Sequence, residues 1–133
     1  MALRFSKAHL SQKLDWGSLD KKYLTHILNL AKKEDLGGLG LLSFNESTPL
    51  RDLSSSLIAN AENGGAVIVA RTACVACGVN LVPLILKTYD PNLKFESFIN
   101  DGDYITKGSE FGVIKGPAPQ LLSAERIVLN FLQ

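Results

Sequence analysis

The chain has 133 residues, of which 46% are hydrophobic and 20% charged, the composition of a soluble globular domain with room for one core. Lysine and arginine number 14 against 13 aspartate and glutamate residues, so the net charge is +1. Nucleic-acid binders usually carry a large basic excess, so the charge points to no polyanionic partner. With only Cys74 and Cys77, the chain also lacks the disulfide framework of a small secreted domain.

The sequence predicts no export and no membrane span. Met1–Lys13 mixes basic with apolar residues and has no unbroken apolar stretch of the signal-peptide kind. The longest charge-free stretch, Thr72–Leu86, is interrupted by Asn80 and Pro83 and falls short of the roughly 20 apolar residues that cross a bilayer. We therefore expect a cytoplasmic protein.

The first predicted element is an amphipathic helix over Leu19–Lys33, with Ser18 as its N-cap and Gly37-Gly38 as its end. Its apolar side recurs at helical spacing at Leu19, Tyr23, Ile27 and Leu30. The stretch Gly37–Asn60 is rich in Gly, Ser and Asn and is predicted to be mostly loop, with a short helix at Leu50–Leu57.

A strand is predicted at Ala66–Arg71, a compact run of small and β-branched residues. Residues Cys74–Gly78 are predicted to extend this strand or to pair with it. A short helix follows, with Asn80 as its N-cap and Pro83 in its first turn, and it ends near Tyr89–Pro91.

The next region is predicted to be a β-meander. Polar and apolar residues alternate over Leu93–Asn100, and the turn signal Asp101–Asp103 follows at once. A second turn at Lys107-Gly108 leads into Phe111–Ile114.

The last predicted element is a helix that begins after Gly116–Pro119, where a proline suits the first turn. Its apolar residues continue to Leu132, and no Gly, Asn or Pro closes the pattern before Gln133. We expect this helix to continue into further sequence or to pack against another chain.

Two small groups of residues resemble reactive sites. Cys74 and Cys77 form a C-x-x-C pair, typical of a redox centre or of half a zinc site, but the pair lies in an apolar run with no second ligand pair nearby. Two buried apolar side chains are the favoured interpretation. His26 lies one position from the apolar stripe of its helix, which predicts a half-buried residue rather than a ligand.

Charged residues on the two long helices offer two further candidates. The adjacent carboxylates Glu34 and Asp35 point in different directions at a helix end, where solvated side chains are the usual outcome. Arg126 lies on an otherwise apolar helix, about 100° around the axis from Glu125, so these two neighbours do not simply pair. From the pattern alone, a solvated or interface salt bridge is favoured for Arg126 over a ligand contact.

Three segments together resemble a known family. They are Asn100–Gly108 with its D-G-D turn, Gly116–Ala118, and Leu121–Asn130, which reads L-L-S-A-E-R-I-V-L-N. In combination and at this separation, they are similar to the amino-terminal part of quinolinate phosphoribosyltransferase, also called nicotinate-nucleotide pyrophosphorylase (carboxylating). Lys33–Gly37 resembles the end of that family's first helix, and the likeness extends over Leu19–Gln133.

The resemblance implies a two-domain enzyme of NAD synthesis. Such enzymes join quinolinate to the ribose of phosphoribosyl pyrophosphate with Mg²⁺ and release CO₂ and pyrophosphate to give nicotinate mononucleotide. This chain resembles their first domain, an α+β fold with an amino-terminal helix and a small open β-sandwich of hammerhead-like topology. The implied division is residues 1–115 for this domain and 116–133 for the start of a connection to an α/β barrel.

The family resemblance also implies a role for Arg126. In the family, the arginine of the Glu-Arg pair reaches the substrate of a neighbouring subunit in a head-to-tail dimer. Quinolinate is a dicarboxylate, and the guanidinium fork suits a carboxylate. On this basis Arg126 is the predicted substrate-binding residue, with no catalytic or metal-ligating residue expected in the chain.

Two departures from the family pattern affect the prediction. Gly38–Leu42 replaces the Gly-Asp-x-Thr stretch that many members carry. The barrel that would supply catalysis and bind Mg²⁺ would begin after Gln133, so this chain alone is expected to be inactive and to need a homodimer or a complementary barrel. The alternatives are a biotinyl- or lipoyl-like carrier module, which shares D-G-D and K-G turns, and an inactive regulatory paralogue.

Overall fold

The computed structural model describes residues 15–37 and 63–133. The helices in these ranges are α1 (Lys21–Gly37), α2 (Val82–Tyr89) and α3 (Ala118–Leu132), with 3-10 turns at Trp16–Ser18 and Val79–Leu81. The strands are β1 (Asn63–Val69), β2 (Cys74–Val75), β3 (Lys94–Ser97), β4 (Tyr104–Ile105) and β5 (Glu110–Pro117). The α+β prediction is confirmed, with small open sheets and no closed barrel in the described ranges. The predictions for Met1–Lys13, Gly38–Leu42 and Leu50–Leu57 lie outside the described residues.

The larger sheet is antiparallel and has the strand order β1-β5-β3, so the last strand of the chain lies in its centre. Val113 of β5 pairs with Val67 on one side and with Glu96 on the other. Both edges of β5 are therefore occupied. The predicted meander is wrong, because β4 pairs with β2 in a separate two-stranded sheet instead of lying between β3 and β5.

The pairing predicted for Cys74–Gly78 is also wrong. Cys74 pairs with Ile105 and Val75 with Tyr104, rather than with β1. Beyond the strand, the backbone of Ala76 donates to Asp103 and accepts from Gly102, so the D-G-D turn itself continues the pairing. The turn signals were located correctly, but the partners of the strands beside them were not.

Helix α1 begins two residues later than predicted and extends to Gly37. Its first turn is capped by Asp20, whose Oδ1 accepts hydrogen bonds from the backbone N–H groups of Lys22 and Tyr23 at 2.9 and 3.1 Å. Ser18 instead belongs to the preceding 3-10 turn, where its hydroxyl donates to the carbonyl of Asp15. The N-cap prediction was therefore wrong by two positions.

Helix α2 follows a 3-10 turn, with Pro83 at its start as predicted. Asn80 lies within that turn and is not the N-cap of the helix. Its amide donates to Oδ2 of Asp101 at 3.0 Å, so the side chain ties α2's entry to the D-G-D turn.

One main core lies where the three helices meet the larger sheet. It is formed by Leu28, Val82, Ile85, Leu86, Leu93, Ile114, Leu121, Ala124, Ile127 and Val128. A smaller cluster beneath the two-stranded sheet contains Ala76, Val79, Ile105 and Phe111. Helix α3 thus packs into the core of the domain. The division at residue 115 stays a prediction. In the described ranges, no helix is long and apolar enough to cross a membrane.

Candidate substrate-contact site

Helix α3 has a buried face and an exposed face, and Arg126 lies on the exposed one. Pro117 is extended and Pro119 occupies the first turn, where a missing backbone N–H costs no hydrogen bond. The buried face is formed by Leu121, Ala124, Ile127 and Val128. At 100° per residue, Arg126 points almost directly away from the middle of this face, and 75% of its side chain is exposed.

Two leucines flank Arg126 on the exposed face. Leu122 precedes it by four residues and Leu129 follows it by three, the spacing that places side chains on the same side of a helix. They are 40% and 37% exposed, respectively. The resulting stripe, which we call the Arg126 face, is a guanidinium between two exposed apolar side chains. Such a mixture of arginine and apolar surface is typical of protein–protein contacts.

Within the chain, Arg126 forms an ion pair with Asp35 near the end of α1. The distance between its terminal nitrogen and Oδ1 of Asp35 is 3.2 Å. The pair is asymmetric, because only 9% of the Asp35 side chain is exposed. Arg126 therefore has a salt-bridge partner on another helix of the same chain, and its role in substrate binding stays a prediction. The prediction that Asp35 is solvated was wrong.

The turn of α1 that carries Asp35 is attached to α2 through Lys32. The ammonium of Lys32 donates to the carbonyl of Thr88 at 2.6 Å and lies 4.9 Å from the centre of the Tyr89 ring. Burial lowers the pKa of Lys32 below its ordinary value of 10.5, and the nearby carboxylate of Asp90 opposes this shift. Lys32 and Asp35 are three residues apart, so they share one side of the helix.

Arg126 lines neither of two open depressions on the surface of the described residues. One, of about 810 Å³, lies beside the start of β1 and includes Lys94 and Lys115. Lys115 also faces Glu96 at 3.3 Å across the sheet. The other, of about 370 Å³, lies between α1 and α2. Arg126 thus lies on the exposed face of α3, outside these two depressions of the described residues.

The remaining sequence-predicted residues are dispersed. Cys74 and Cys77 are free and both exposed, so the prediction of two buried apolar side chains was wrong. His26 is exposed rather than half-buried, because the core contact of its helix is made by Leu28. Glu34 is exposed, as expected at a helix end.

Sequence reasoning missed the contacts of two acidic residues, Asp35 beside Arg126 and Asp101 at the start of α2. Asp35 was predicted to be solvated, because nothing in the charge spacing of its own helix indicates an arginine on another helix as its partner. Asp101 was treated only as part of a turn, whereas its carboxylate accepts hydrogen bonds from Val79 and Asn80. The contacts of Asp35 and Asp101 join segments that are distant in the sequence, and the periodicity of a single segment cannot predict such contacts.

The described part of the chain contains no group of three or more His, Cys, Asp or Glu side chains that could hold a metal ion. These residues therefore do not fit the Mg²⁺ that the family resemblance implies. The β-meander that a carrier module would need is also absent from the described strands, because β2 and β4 pair separately.

A family model described as quinolinate phosphoribosyl transferase, N-terminal domain, matches residues 52–133. The chain belongs to the quinolinate phosphoribosyltransferase family, as its N-terminal domain. Among its relatives, quinolinate phosphoribosyltransferase [decarboxylating] 2, mitochondrial, of Nicotiana glauca is 36% identical over 83% of this chain and 28% of that protein. The chloroplastic nicotinate-nucleotide pyrophosphorylase [carboxylating] of rice is 37% identical over 83% of this chain and 27% of that protein.

Solved structures agree with this assignment. The crystal structure of NadC from Streptococcus pyogenes matches with a TM-score of 0.73 and 25% identity, covering 91% of this chain and 38% of that one. The nicotinate-nucleotide pyrophosphorylase of Francisella tularensis matches with a TM-score of 0.74 at 18% identity, which shows the shared fold. This quinolinate phosphoribosyltransferase domain spans less than a third of the length of the curated relatives cited above.

Proposed function

We propose that this domain serves a quinolinate phosphoribosyltransferase by forming a dimer and by presenting Arg126 to the quinolinate held in the barrel of a neighbouring subunit. The reaction converts quinolinate and phosphoribosyl pyrophosphate into nicotinate mononucleotide, CO₂ and pyrophosphate. Mg²⁺ belongs to the barrel in this proposal. The observation that carries it is the exposed guanidinium of Arg126, which lies on the outer face of α3 and lines neither of the two depressions described above.

The chemistry of the Arg126 face suits both parts of this role. Leu122 and Leu129 offer apolar area for a partner surface, and the arginine between them offers a fork of N–H donors. Quinolinate carries two carboxylates on adjacent ring carbons. A guanidinium binds a carboxylate through two parallel hydrogen bonds, and this contact strengthens when a partner surface excludes water.

The test is reconstitution with a catalytic barrel from the same family, supplied as a fusion or as a separate polypeptide. We expect no phosphoribosyl transfer by the 133-residue chain alone and turnover when the barrel is present. Arg126→Ala should raise the KM for quinolinate by about 100-fold, since a charged, desolvated contact is lost, while the KM for phosphoribosyl pyrophosphate changes little.

Glu125→Gln is the matched control, because it changes an exposed charge on the neighbouring position of the same helix. It should leave both KM values within about twofold of wild type. An unchanged KM for quinolinate in Arg126→Ala would contradict the proposed contact. Turnover by the chain without a barrel would contradict the division of roles, and inactivity with every barrel would favour an inactive regulatory paralogue.

A cytoplasmic location completes the proposal. The tobacco and rice relatives are named as mitochondrial and chloroplastic proteins, so location varies among family members. Fractionation of cells that produce the chain with a carboxyl-terminal tag would test it, and enrichment of the tag in an organelle would contradict it.

A further inference from the structure

We infer that Asp35 is a positioning residue for Arg126, which holds the guanidinium so that its outer donors face the substrate. This inference rests on the proposed function, because it requires Arg126 to contact quinolinate. The contact that motivates it is the 3.2 Å ion pair between Oδ1 of Asp35 and a terminal nitrogen of Arg126.

The asymmetry of the pair distinguishes it from an ordinary surface salt bridge. Asp35 is nine-tenths buried, whereas three-quarters of the Arg126 side chain is exposed. Two flexible exposed side chains gain little from pairing, because both must be ordered in a screened environment. Here one partner is already fixed by the fold, so the ordering cost falls on the arginine alone.

The fold holds Asp35 in place from two directions. Lys32, three residues earlier, donates to the carbonyl of Thr88 in α2, and Leu28, one turn before that, is almost completely buried in the main core. This end of α1 is therefore attached to α2 while it contacts α3. The carboxylate of Asp35 is carried on a rigid element, as an effective supporting residue should be.

The shape of the guanidinium allows it to donate hydrogen bonds to two carboxylates at once. It has five N–H donors in a plane, and Asp35 lies at one terminal nitrogen. The exposed remainder of the group is left for a second carboxylate. A lysine at position 126 could not do this equally well, because an ammonium has no opposite edge.

The charge of Asp35 makes the inference testable by the sign of the effect. A carboxylate close to the site repels a dianionic substrate, so a purely electrostatic Asp35→Asn change would strengthen quinolinate binding. Loss of positioning has the opposite effect, since the arginine must then be ordered when substrate binds. Weaker binding in Asp35→Asn therefore reports positioning.

The experiment uses the chain reconstituted with the barrel and measures Kd for quinolinate and KM for both substrates. We expect Asp35→Asn to raise the Kd and KM for quinolinate by about tenfold and to leave the KM for phosphoribosyl pyrophosphate unchanged. Asp35→Glu, which keeps the carboxylate, should recover part of the loss. Glu34→Gln removes the neighbouring exposed acid from the same helix and should bind quinolinate as wild type or slightly more tightly.

Nuclear magnetic resonance of the chain alone provides a readout that does not need the barrel. The order parameter of the Nε–Hε group of Arg126 should be lower in Asp35→Asn than in wild type or Glu34→Gln. The chemical shifts of the backbone amides in the core should not change. Retained core shifts also establish that Asp35→Asn is folded. If Asp35→Asn fails to fold, Asp35→Ser, which also removes the carboxylate, takes its place in both measurements.

The outcomes separate the two proposals. If Arg126→Ala leaves quinolinate binding unchanged, the proposed function fails. If Arg126→Ala weakens binding while Asp35→Asn matches Glu34→Gln or binds more tightly, only the positioning role is overturned. If both variants weaken binding and the double variant is no weaker than Arg126→Ala, Asp35 acts through Arg126 as inferred.

Discussion

The carboxylate of Asp101 caps the backbone N–H of Val79 across the domain, with Oδ1 2.8 Å from the nitrogen. Its other oxygen accepts from the amide of Asn80 at 3.0 Å. Val79 is buried, so its N–H would find few water molecules if this acceptor were removed. The D-G-D turn is therefore a structural connection between the two-stranded sheet and the start of α2.

Replacement of Asp101 should reveal the cost of this connection. We expect Asp101→Ala to lower the free energy of unfolding by about 1–3 kcal/mol, since it leaves a partly buried donor without its acceptor. Urea unfolding monitored by circular dichroism would show a lower midpoint with an unchanged slope. Glu110→Gln, at an exposed acidic position, is the control and should stay within about 0.5 kcal/mol of wild type. Equal midpoints for the two variants would contradict the capping role.

Gly112 should tolerate no side chain. A Cβ atom there would lie 2.6 Å from the carbonyl oxygen of Glu96 and 2.6 Å from the Phe95 ring. Gly112→Ala must therefore push β3 away from the central strand, and we expect a loss of about 2–4 kcal/mol or failure to fold. Gly65→Ala, whose nearest contact would be 3.8 Å away, should be neutral or stabilising by up to about 1 kcal/mol. Thermal unfolding of both variants tests the contrast, and a Gly112→Ala protein as stable as Gly65→Ala would refute it.

Lys32 should make stability rise with alkaline pH. Burial lowers the pKa of Lys32 in the folded chain below the 10.5 of an exposed lysine. Between these two values the unfolded chain binds more protons, so the free energy of unfolding increases with pH across that window. The penalty for burying the charge is fully present below the folded pKa and is relieved above it.

The measurement is urea unfolding at several pH values from neutrality towards 10.5. The difference in unfolding free energy between wild type and Lys32→Met should grow in favour of wild type as the pH rises. Lys22→Met removes an exposed lysine near the start of the same helix, and its difference from wild type should stay flat. A flat difference for Lys32→Met as well would show that the fold does not disfavour the charged form.

The two cysteines should react freely in the folded chain. Both Cys74 and Cys77 are exposed and unbridged, although they lie in an apolar stretch of sequence. A thiol reagent such as dithionitrobenzoate should therefore titrate both groups at the same rate with and without denaturant, within about threefold. Ser replacement of both should change the unfolding free energy by no more than about 0.5 kcal/mol. Strong protection of either thiol would mean that this edge of the domain is covered.

Local patterns in the sequence predicted the elements better than their partners. The helix after Pro119, the glycine turns at Gly102 and Gly108 and the strand around Val67 follow from periodicity and backbone preference, and each was found close to its predicted place. The pairing of β4 with β2 was missed, because competition for the two edges of β5 is decided by packing across the whole domain.

The candidate site shows the same division. Arg126 was predicted from the family resemblance to bind substrate, and its exposure follows from its position opposite the buried residues of its helix. The burial of Asp35 depends on where α1 crosses α3, and that crossing is set by the shared core. Local sequence patterns therefore single out Arg126, but they do not identify Asp35 as its partner.

The central position of β5 determines when the larger sheet can form during synthesis on the ribosome. Neither β1 nor β3 has a neighbour in the larger sheet until Glu110–Pro117 has emerged, and Asn63 pairs with Pro117 itself. Helix α3, which completes the main core, is synthesised later still. The nascent polypeptide must therefore keep two unpaired segments, which contain valine and phenylalanine, soluble until residue 117 has emerged from the ribosome, and chaperone demand should be greatest in that interval.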